Sequence, residues 1–109
     1  SNKSIITIKM SKKTINMGQN EIQGNIVFGE GCIINPTCSI LCERKEEQFK
    51  IIFGDYNVIE EKALIVFKPN VEGENTMRIG SYNVFGIYSY VYNSEIGDCN
   101  IIEPKAEVK

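Results

Sequence analysis

A six-residue pattern recurs through this chain and restricts the folds that it can adopt. Each unit opens with an apolar residue and glycine, continues with two variable residues and a small residue, and ends with an aliphatic residue. The clearest copies begin at Phe53, Ile79 and Ile96, and a looser copy begins at Phe28. Hexads of this kind are typical of a parallel β-helix, in which three hexads complete one triangular turn of about 18 residues.

With three hexads per turn, the residues that open each unit form three columns along the axis. Polar stretches at residues 41–50 and 68–75 interrupt the pattern, and one residue is missing just before Ile96. Both stretches leave from the same corner, which supports the register because nothing else requires the two insertions to agree. The predicted columns are Met10, Phe28, Phe53, Ile79 and Ile96; Asn16, Ile34, Ile59, Phe85 and Ile102; and Ile22, Ile40, Ile65, Val91 and Val108.

The predicted fold class is therefore all-β, a single-stranded parallel β-helix of about five turns with two loops from one corner. Ile6 and Ile8 alternate with polar neighbours, which predicts a short lead-in strand over residues 1–9. The β-helix domain then covers residues 10–109. A single turn cannot bury its apolar face, whereas stacked turns share one continuous core.

The fifth position of the hexads that open each turn holds a small residue in every turn. In three successive turns this residue is asparagine: Asn57, Asn83 and Asn100. Side chains at this position are expected to point inward near a corner, and stacked turns lie about 4.8 Å apart. The sequence therefore predicts an inward asparagine ladder with a structural role.

The sixth position of the same hexads is β-branched in every turn. Part of this preference reflects β propensity, but an aliphatic stripe that faces water over five turns indicates a protein interface. Outward tyrosines also favour interfaces, although they can equally cover the end of the solenoid. The candidate partner interface comprises Ile15, Ile33, Val58, Val84 and Ile101, together with Tyr82, Tyr88 and Tyr90.

The sequence contains no histidine. Many hexapeptide-repeat proteins are acyltransferases with a histidine base, and others are carbonic anhydrases whose zinc sits on three histidines. Neutral imidazole is the usual group for both tasks. We therefore predict no catalytic residue, no metal and no cofactor. Cys32 and Cys38 are six residues apart and are expected to fill corners as small apolar side chains rather than to bind a metal.

The charge of the chain also excludes some partners. Twelve basic and fourteen acidic residues give a net charge of −2, without a long run of either sign. Neither a nucleic-acid surface nor a membrane surface is predicted from this balance. No apolar run approaches the roughly 20 residues of a membrane span, so we expect no membrane insertion.

Longer phrases within the hexads resemble the dynactin subunit 6 family. Residues 54–65, 77–85 and 97–106 carry the resemblance, and the phrase Asn-Val/Ile-Ile-Glu-x-Lys-Ala recurs in the first and third of these segments. The similarity extends over residues 10–108. The family implies a left-handed β-helix, although this handedness opposes the right-handed crossover that parallel strands usually adopt.

The resemblance implies a non-catalytic subunit of the dynactin complex, cytoplasmic and associated with the cytoskeleton. Such a subunit pairs with the related β-helix subunit 5 at the pointed end, near the pointed-end actin-related protein. That end supports dynein-driven microtubule transport and the binding of cargo adaptors. Family members continue with further turns and a C-terminal helix, whereas this sequence stops at Lys109, at the end of a turn. The resemblance therefore implies a β-helix truncated at its C-terminal end, a partly ordered chain or a shortened relative.

Other functions remain as alternatives. A hexapeptide-repeat acyltransferase or a γ-carbonic-anhydrase-like enzyme is disfavoured by the absence of histidine. A homotrimeric β-helix with no role in dynactin is a second alternative. An open solenoid end exposes unpaired strand edges, and self-association through this end is a further expectation.

Overall fold

Three parallel sheets surround one core in the computed structural model, which describes residues 8–11, 13–70 and 73–109. All strands in these ranges pair in parallel, and the same ranges contain no helix. The strands are β1 (Ile8–Lys9), β2 (Ile15–Asn16), β3 (Glu21–Gln23), β4 (Ile26–Val27), β5 (Ile33–Ile34), β6 (Ser39–Cys42), β7 (Lys50–Phe53), β8 (Val58–Ile59), β9 (Leu64–Phe67), β10 (Thr76–Ile79), β11 (Val84–Phe85), β12 (Tyr90–Tyr92), β13 (Ile101–Ile102) and β14 (Glu107–Val108).

Consecutive strands lie on different faces, and the chain returns to each face once per coil. The first face is ordered β1-β4-β7-β10, the second β2-β5-β8-β11-β13 and the third β3-β6-β9-β12-β14. The fold is a left-handed parallel β-helix, which confirms the predicted fold class. We call the corner between the first and second faces the first corner and that between the second and third faces the second corner. The third corner leads to the next coil.

The strand pairing confirms the predicted columns, including the turn that is one residue short. Val91 pairs with Ile65 in the preceding coil and with Val108 in the following coil. Ile96 in turn forms a parallel bridge with Ile79. The missing residue therefore falls at the third corner, between Val91 and Ile96, and the register of the faces on both sides is unchanged.

Except for the exposed Asn16, the column residues form one continuous core. Ile34, Ile40 and Ile59 are fully buried in it. The rings of Phe28 and Phe53 stack within it, with their centroids 4.7 Å apart. Each coil thus covers the apolar interior of its neighbours, as the sequence pattern requires.

Both predicted loops leave from the third corner, but the predicted bounds of the first loop were wrong. Strand β6 continues to Cys42 and strand β7 begins at Lys50, so the first loop covers residues 43–49. Cys42 is fully buried and pairs with Phe67 in the next coil. The strand therefore extends past the hexad because apolar residues continue the in–out alternation there. The second loop covers residues 68–75.

Two asparagines fasten these loops to the solenoid. The Nδ2 atom of buried Asn25 donates to the carbonyl oxygens of Glu46 and Phe49, each at 3.1 Å. Asn93 and Lys68 form a reciprocal pair, in which Asn93 Oδ1 accepts from the Lys68 amide at 2.7 Å and Asn93 Nδ2 donates to the Lys68 carbonyl at 2.8 Å. The insertions are thus held in place by hydrogen bonds to their backbone.

The predicted lead-in strand lies mostly outside the described residues, since residues 1–7, and Ile6 among them, are not described. Within the described part, Ile8 and Lys9 form β1 and pair in parallel with β4. These two residues therefore lie on the first face. The boundary between residues 1–9 and 10–109 stays a prediction.

Replacing Gly54 with alanine is expected to destabilise the fold by about 1–3 kcal/mol through overpacking. The new Cβ would lie 2.8 Å from the carbonyl carbon and oxygen of Gly80, and backbone atoms cannot rotate away. Gly97→Ala is the matched control, because its Cβ would meet only Asn100 Nδ2, at 3.9 Å. Thermal unfolding of the 109-residue chain measures both variants, and equal melting temperatures would contradict this prediction.

Candidate interaction surface

The asparagines at the first corner bind the backbone of the following coil. Asn57 Nδ2 donates to the Gly80 carbonyl at 2.8 Å, and Asn57 Oδ1 accepts from the Asn83 amide at 3.0 Å. Asn83 repeats both bonds, to the Gly97 carbonyl and from the Asn100 amide, each at 2.8 Å. Asn57 and Asn83 are fully buried, whereas Asn100 is exposed in the fifth coil. The three residues are thus joined through backbone groups, not amide to amide.

Other small residues occupy the same position in the first two coils. The Thr14 hydroxyl donates to the Gly29 carbonyl at 2.6 Å and accepts from the Cys32 amide at 3.1 Å. Cys32 in turn donates its thiol to the Gly54 carbonyl at 3.3 Å. Each of these side chains satisfies backbone groups that the corner removes from the regular sheet pairing.

A second ladder runs in the opposite direction at the same corner. Asp98 Oδ1 accepts from the Ser81 amide at 2.7 Å, and Ser81 Oγ accepts from the Asp55 amide at 2.9 Å. Asp55 Oδ1 then accepts from the Glu30 amide at 2.9 Å. Sequence reasoning treated this position as variable and missed the ladder. The available signal was chemical, because Asp55, Ser81 and Asp98 all have a short side chain with an acceptor oxygen.

The five aliphatic residues of the predicted stripe lie side by side on the second face. Strand pairing places them in the order Ile15, Ile33, Val58, Val84 and Ile101. The exposed fractions of the three isoleucines are 57%, 36% and 72%, and both valines are half-buried. We call this set the aliphatic stripe. It forms a continuous apolar row along the outside of the solenoid.

Tyr82 extends this apolar surface onto the first corner. Its side chain is 60% exposed, and its ring stacks on that of Tyr56 with centroids 5.3 Å apart. Tyr56 lies against Gly31, where an added Cβ would overlap the ring. Sequence reasoning missed Tyr56, although it occupies the same hexad position as Tyr82. Each tyrosine stands two residues before a valine of the stripe.

The other two predicted tyrosines lie elsewhere. Tyr88 is at the second corner, where its hydroxyl accepts a hydrogen bond from Lys62 Nζ at 2.9 Å. This bond raises the pKa of the Lys62 ammonium. Tyr90 lies on the third face next to Tyr92, with ring centroids 6.1 Å apart. The predicted interface residues are thus divided between the second face, two corners and the third face.

A cleft with a volume of about 630 Å³ lies between the two loops, and Arg44, Phe49 and Pro69 are among its lining residues. The Arg44 guanidinium stacks over the Phe49 ring at 4.3 Å and pairs with the Glu46 carboxylate at 3.1 Å. Their mutual hydrogen bond raises the pKa of Arg44 and lowers that of Glu46. These charges satisfy each other and stabilise the loop conformation.

Within the described ranges, no three His, Cys, Asp or Glu side chains are placed to hold a metal ion. The same ranges contain no helix with the length and apolar character to cross a membrane. What the described residues do present is one apolar outer row, the aliphatic stripe, on a repetitive scaffold.

Three curated proteins named Dynactin subunit 6 are similar to this chain. The protein from Nematostella vectensis is 32% identical in an alignment of 108 residues that covers 93% of this chain and 56% of the relative. The protein from Xenopus tropicalis is also 32% identical over 108 residues (93% and 52%), and that from Danio rerio is 30% identical over 110 residues (94% and 54%). Over more than nine tenths of its length, this chain is similar to proteins of the dynactin subunit 6 family.

This similarity confirms the resemblance that the hexad phrases indicated. The chain spans about half the length of the curated relatives that it matches. No protein-family profile matches the sequence. The candidate interaction surface of this chain is the aliphatic stripe with its neighbouring tyrosine pair.

Replacing Asn57 with alanine is expected to lower the free energy of unfolding by about 2–5 kcal/mol. The change would leave the Gly80 carbonyl and the Asn83 amide unsatisfied at a buried corner, and each unmet group costs about 1–3 kcal/mol. Asn100→Ala is the control, because the exposed Asn100 side chain donates only to the Asp98 carbonyl, at 3.2 Å. Urea unfolding compares the variants, and similar losses would contradict the ladder's structural role.

Thiol labelling is expected to distinguish one cysteine from the other three. Burial raises the pKa of Cys38 to about 11 and also raises the pKa of Cys32 and Cys42, so these thiols stay protonated and covered at pH 8. Cys99 is exposed. A chromogenic disulfide reagent should therefore titrate one thiol in the folded chain and four in denaturant. Rapid reaction of more than one thiol without denaturant would contradict this.

Proposed function

We propose that this chain acts as a non-catalytic structural subunit of the dynactin complex. Its similarity to three proteins named Dynactin subunit 6, over more than nine tenths of its length, is the observation that carries the proposal. The subunit would reside in the cytoplasm, associated with the cytoskeleton. There it would support dynein-driven microtubule transport and the binding of cargo adaptors.

The proposed partner is the related β-helix subunit 5, at the pointed end and near the pointed-end actin-related protein. The aliphatic stripe supports this pairing, because Ile15, Ile33 and Ile101 expose more than a third of their surface in one continuous row. Exposure of a contiguous apolar surface to water is unfavourable in free energy, and such surfaces indicate protein interfaces. Tyr82 would join this interface at the first corner, whereas Tyr88 and Tyr90 would contact a partner that reaches past the second corner.

The regular scaffold suits a binding role. A partner that is itself a parallel β-helix would present strands at the same spacing of about 4.8 Å. Rows of side chains on two such faces can therefore remain in step over several coils. Since backbone pairing on every coil holds the stripe in place, little conformational entropy would be lost on binding.

An enzymatic function is the alternative from another class. A hexapeptide-repeat acyltransferase needs a histidine base, and a γ-carbonic-anhydrase-like enzyme needs zinc on histidines, whereas this sequence contains no histidine. An acyl-transfer screen and a zinc assay on the purified chain discriminate between these functions. Self-association through edge strands β13 and β14, or a homotrimer, would appear as a higher mass in sedimentation analysis.

Affinity purification of the native protein is expected to recover dynactin subunits, including a β-helix subunit 5. A variant with Val58→Lys and Val84→Glu should recover that partner at least about tenfold less well, because each change would bury a charge in the interface. Quantitative mass spectrometry of the co-purified proteins measures both effects.

Ile52→Lys is the matched control for the stripe variant. Ile52 is also β-branched and half-buried, but it lies on the first face, where Arg78 occupies the equivalent position in the next coil. Partner recovery should remain as in the unmodified protein. Equal recovery from the stripe variant and the control would remove the stripe from the interface, and recovery of no dynactin subunit would overturn the function.

A further inference from the structure

The first corner carries a row of carboxylates alongside the aliphatic stripe. Glu30, Asp55 and Asp98 occupy the same position in the second, third and fifth coils, and all three are exposed. The second ladder links this column coil by coil, with Ser81 in the fourth coil. Among the described residues of this corner, the basic residue is Lys13 in the first coil. The corner therefore presents an acidic edge over most of its length.

These carboxylates retain capacity for further partners. Asp55 and Asp98 each use Oδ1 to accept a backbone amide, which leaves the second oxygen of each without a hydrogen bond in the described part of the chain. The Glu30 side chain makes no hydrogen bond or ion pair with any described residue. A basic group from outside can therefore pair with this row without displacing an existing contact.

The Tyr56–Tyr82 stack lies between the acidic row and the aliphatic stripe. Both rings are exposed, Tyr56 by 44%. Arginine packs readily against exposed aromatic side chains while its guanidinium pairs with a carboxylate. The tyrosine rings and the carboxylates at the first corner therefore both favour a basic side chain from a partner.

We propose that the partner surface covering the second face carries a row of basic side chains, arginines above all, that docks along the first corner. This inference rests on the proposed function and specifies the chemistry of its partner. An apolar row on the partner would cover the aliphatic stripe. The basic row beside it would meet Glu30, Asp55 and Asp98 and lie over the tyrosine pair.

Charge disfavours a second copy of this chain as the occupant. The acidic row borders one edge of the stripe, and Glu60 and Glu103 follow it at the other edge. Lys62, at the second corner, is hydrogen-bonded to Tyr88. Two copies packed stripe to stripe would bring carboxylates together along their borders, which like-charge repulsion opposes.

The test removes the acidic row and preserves the ladder. The variant carries Glu30→Gln, Asp55→Ser and Asp98→Ser, because a serine at this position already accepts an amide hydrogen bond in the fourth coil, as Ser81 does. The control variant carries Glu47→Gln, Glu74→Gln and Glu95→Gln, which remove three exposed charges from the loops and the third corner. Circular dichroism verifies that both variants keep the fold.

Association with purified subunit 5 partner from the same cells is measured by biolayer interferometry at 50 and 300 mM NaCl. For the unmodified chain and the control, the association rate is expected to fall about tenfold at the higher salt, because screening weakens charge steering. For the acidic-row variant, it should already be about tenfold slower at 50 mM and should change little with salt. Tyr82→Ala should mainly raise the dissociation rate.

Each of the other possible results contradicts a specific part of the proposal. If the acidic-row variant associates at the same rate as the unmodified chain and with the same salt dependence, the partner has no basic row at the first corner. If Val58→Lys with Val84→Glu still abolishes binding in that case, the stripe interface and the proposed function stand. A homodimer that the stripe variant dissociates overturns the inferred partner, and absence of any binding to subunit 5 overturns both the pairing and this inference.

Discussion

Successive coils approach each other closely at the first corner, and two hydrogen-bond ladders hold them together there. Glycine at this corner lets the backbone of one coil approach the next, as the Gly54–Gly80 contact shows. Asn57 and Asp55 then bond the backbone of coils on opposite sides, so that two ladders of opposite direction hold the same turn. Together with the parallel backbone pairing on the three faces, these bonds keep the apolar columns directly over one another.

This construction assigns the inward side chains to structure. The buried inward side chains include those of Asn57, Asn83, Cys32 and Cys38. The amide groups of the two asparagines form hydrogen bonds with the backbone. The first loop is also held in place, because the Asn25 side chain donates hydrogen bonds to its backbone carbonyl oxygens. What the chain displays to other molecules is therefore its outer surface, where a stripe, a tyrosine pair and an acidic edge lie next to one another. The similarity to Dynactin subunit 6 proteins and the chemistry of this surface both support the proposal that the chain binds a partner.

The sequence predicted the columns correctly because burial in a solenoid is periodic, and the period survives insertions and one deletion. It did not reveal the second ladder, since Asp55 and Ser81 share an acceptor oxygen but not size or charge. The first loop was placed too early because Leu41 and Cys42 precede a strongly polar run. The sequence predicted Tyr82, Tyr88 and Tyr90 as one group because they are close in sequence. In a triangular coil, however, residues six positions apart lie on different sides of the solenoid.

The order of apolar, glycine and small residues was enough by itself to determine an all-β solenoid, its register and the corner from which both loops leave. That information is local, because each hexad has an apolar residue to bury at the same position. Which outward residues come together was decided only by the tertiary structure. Tyr56 reaches Tyr82, and Asp55 reaches Glu30, only because stacking brings residues about 25 positions apart to adjacent coils. The position of the acidic edge relative to the aliphatic stripe follows from the angle of the corner, which no single hexad encodes.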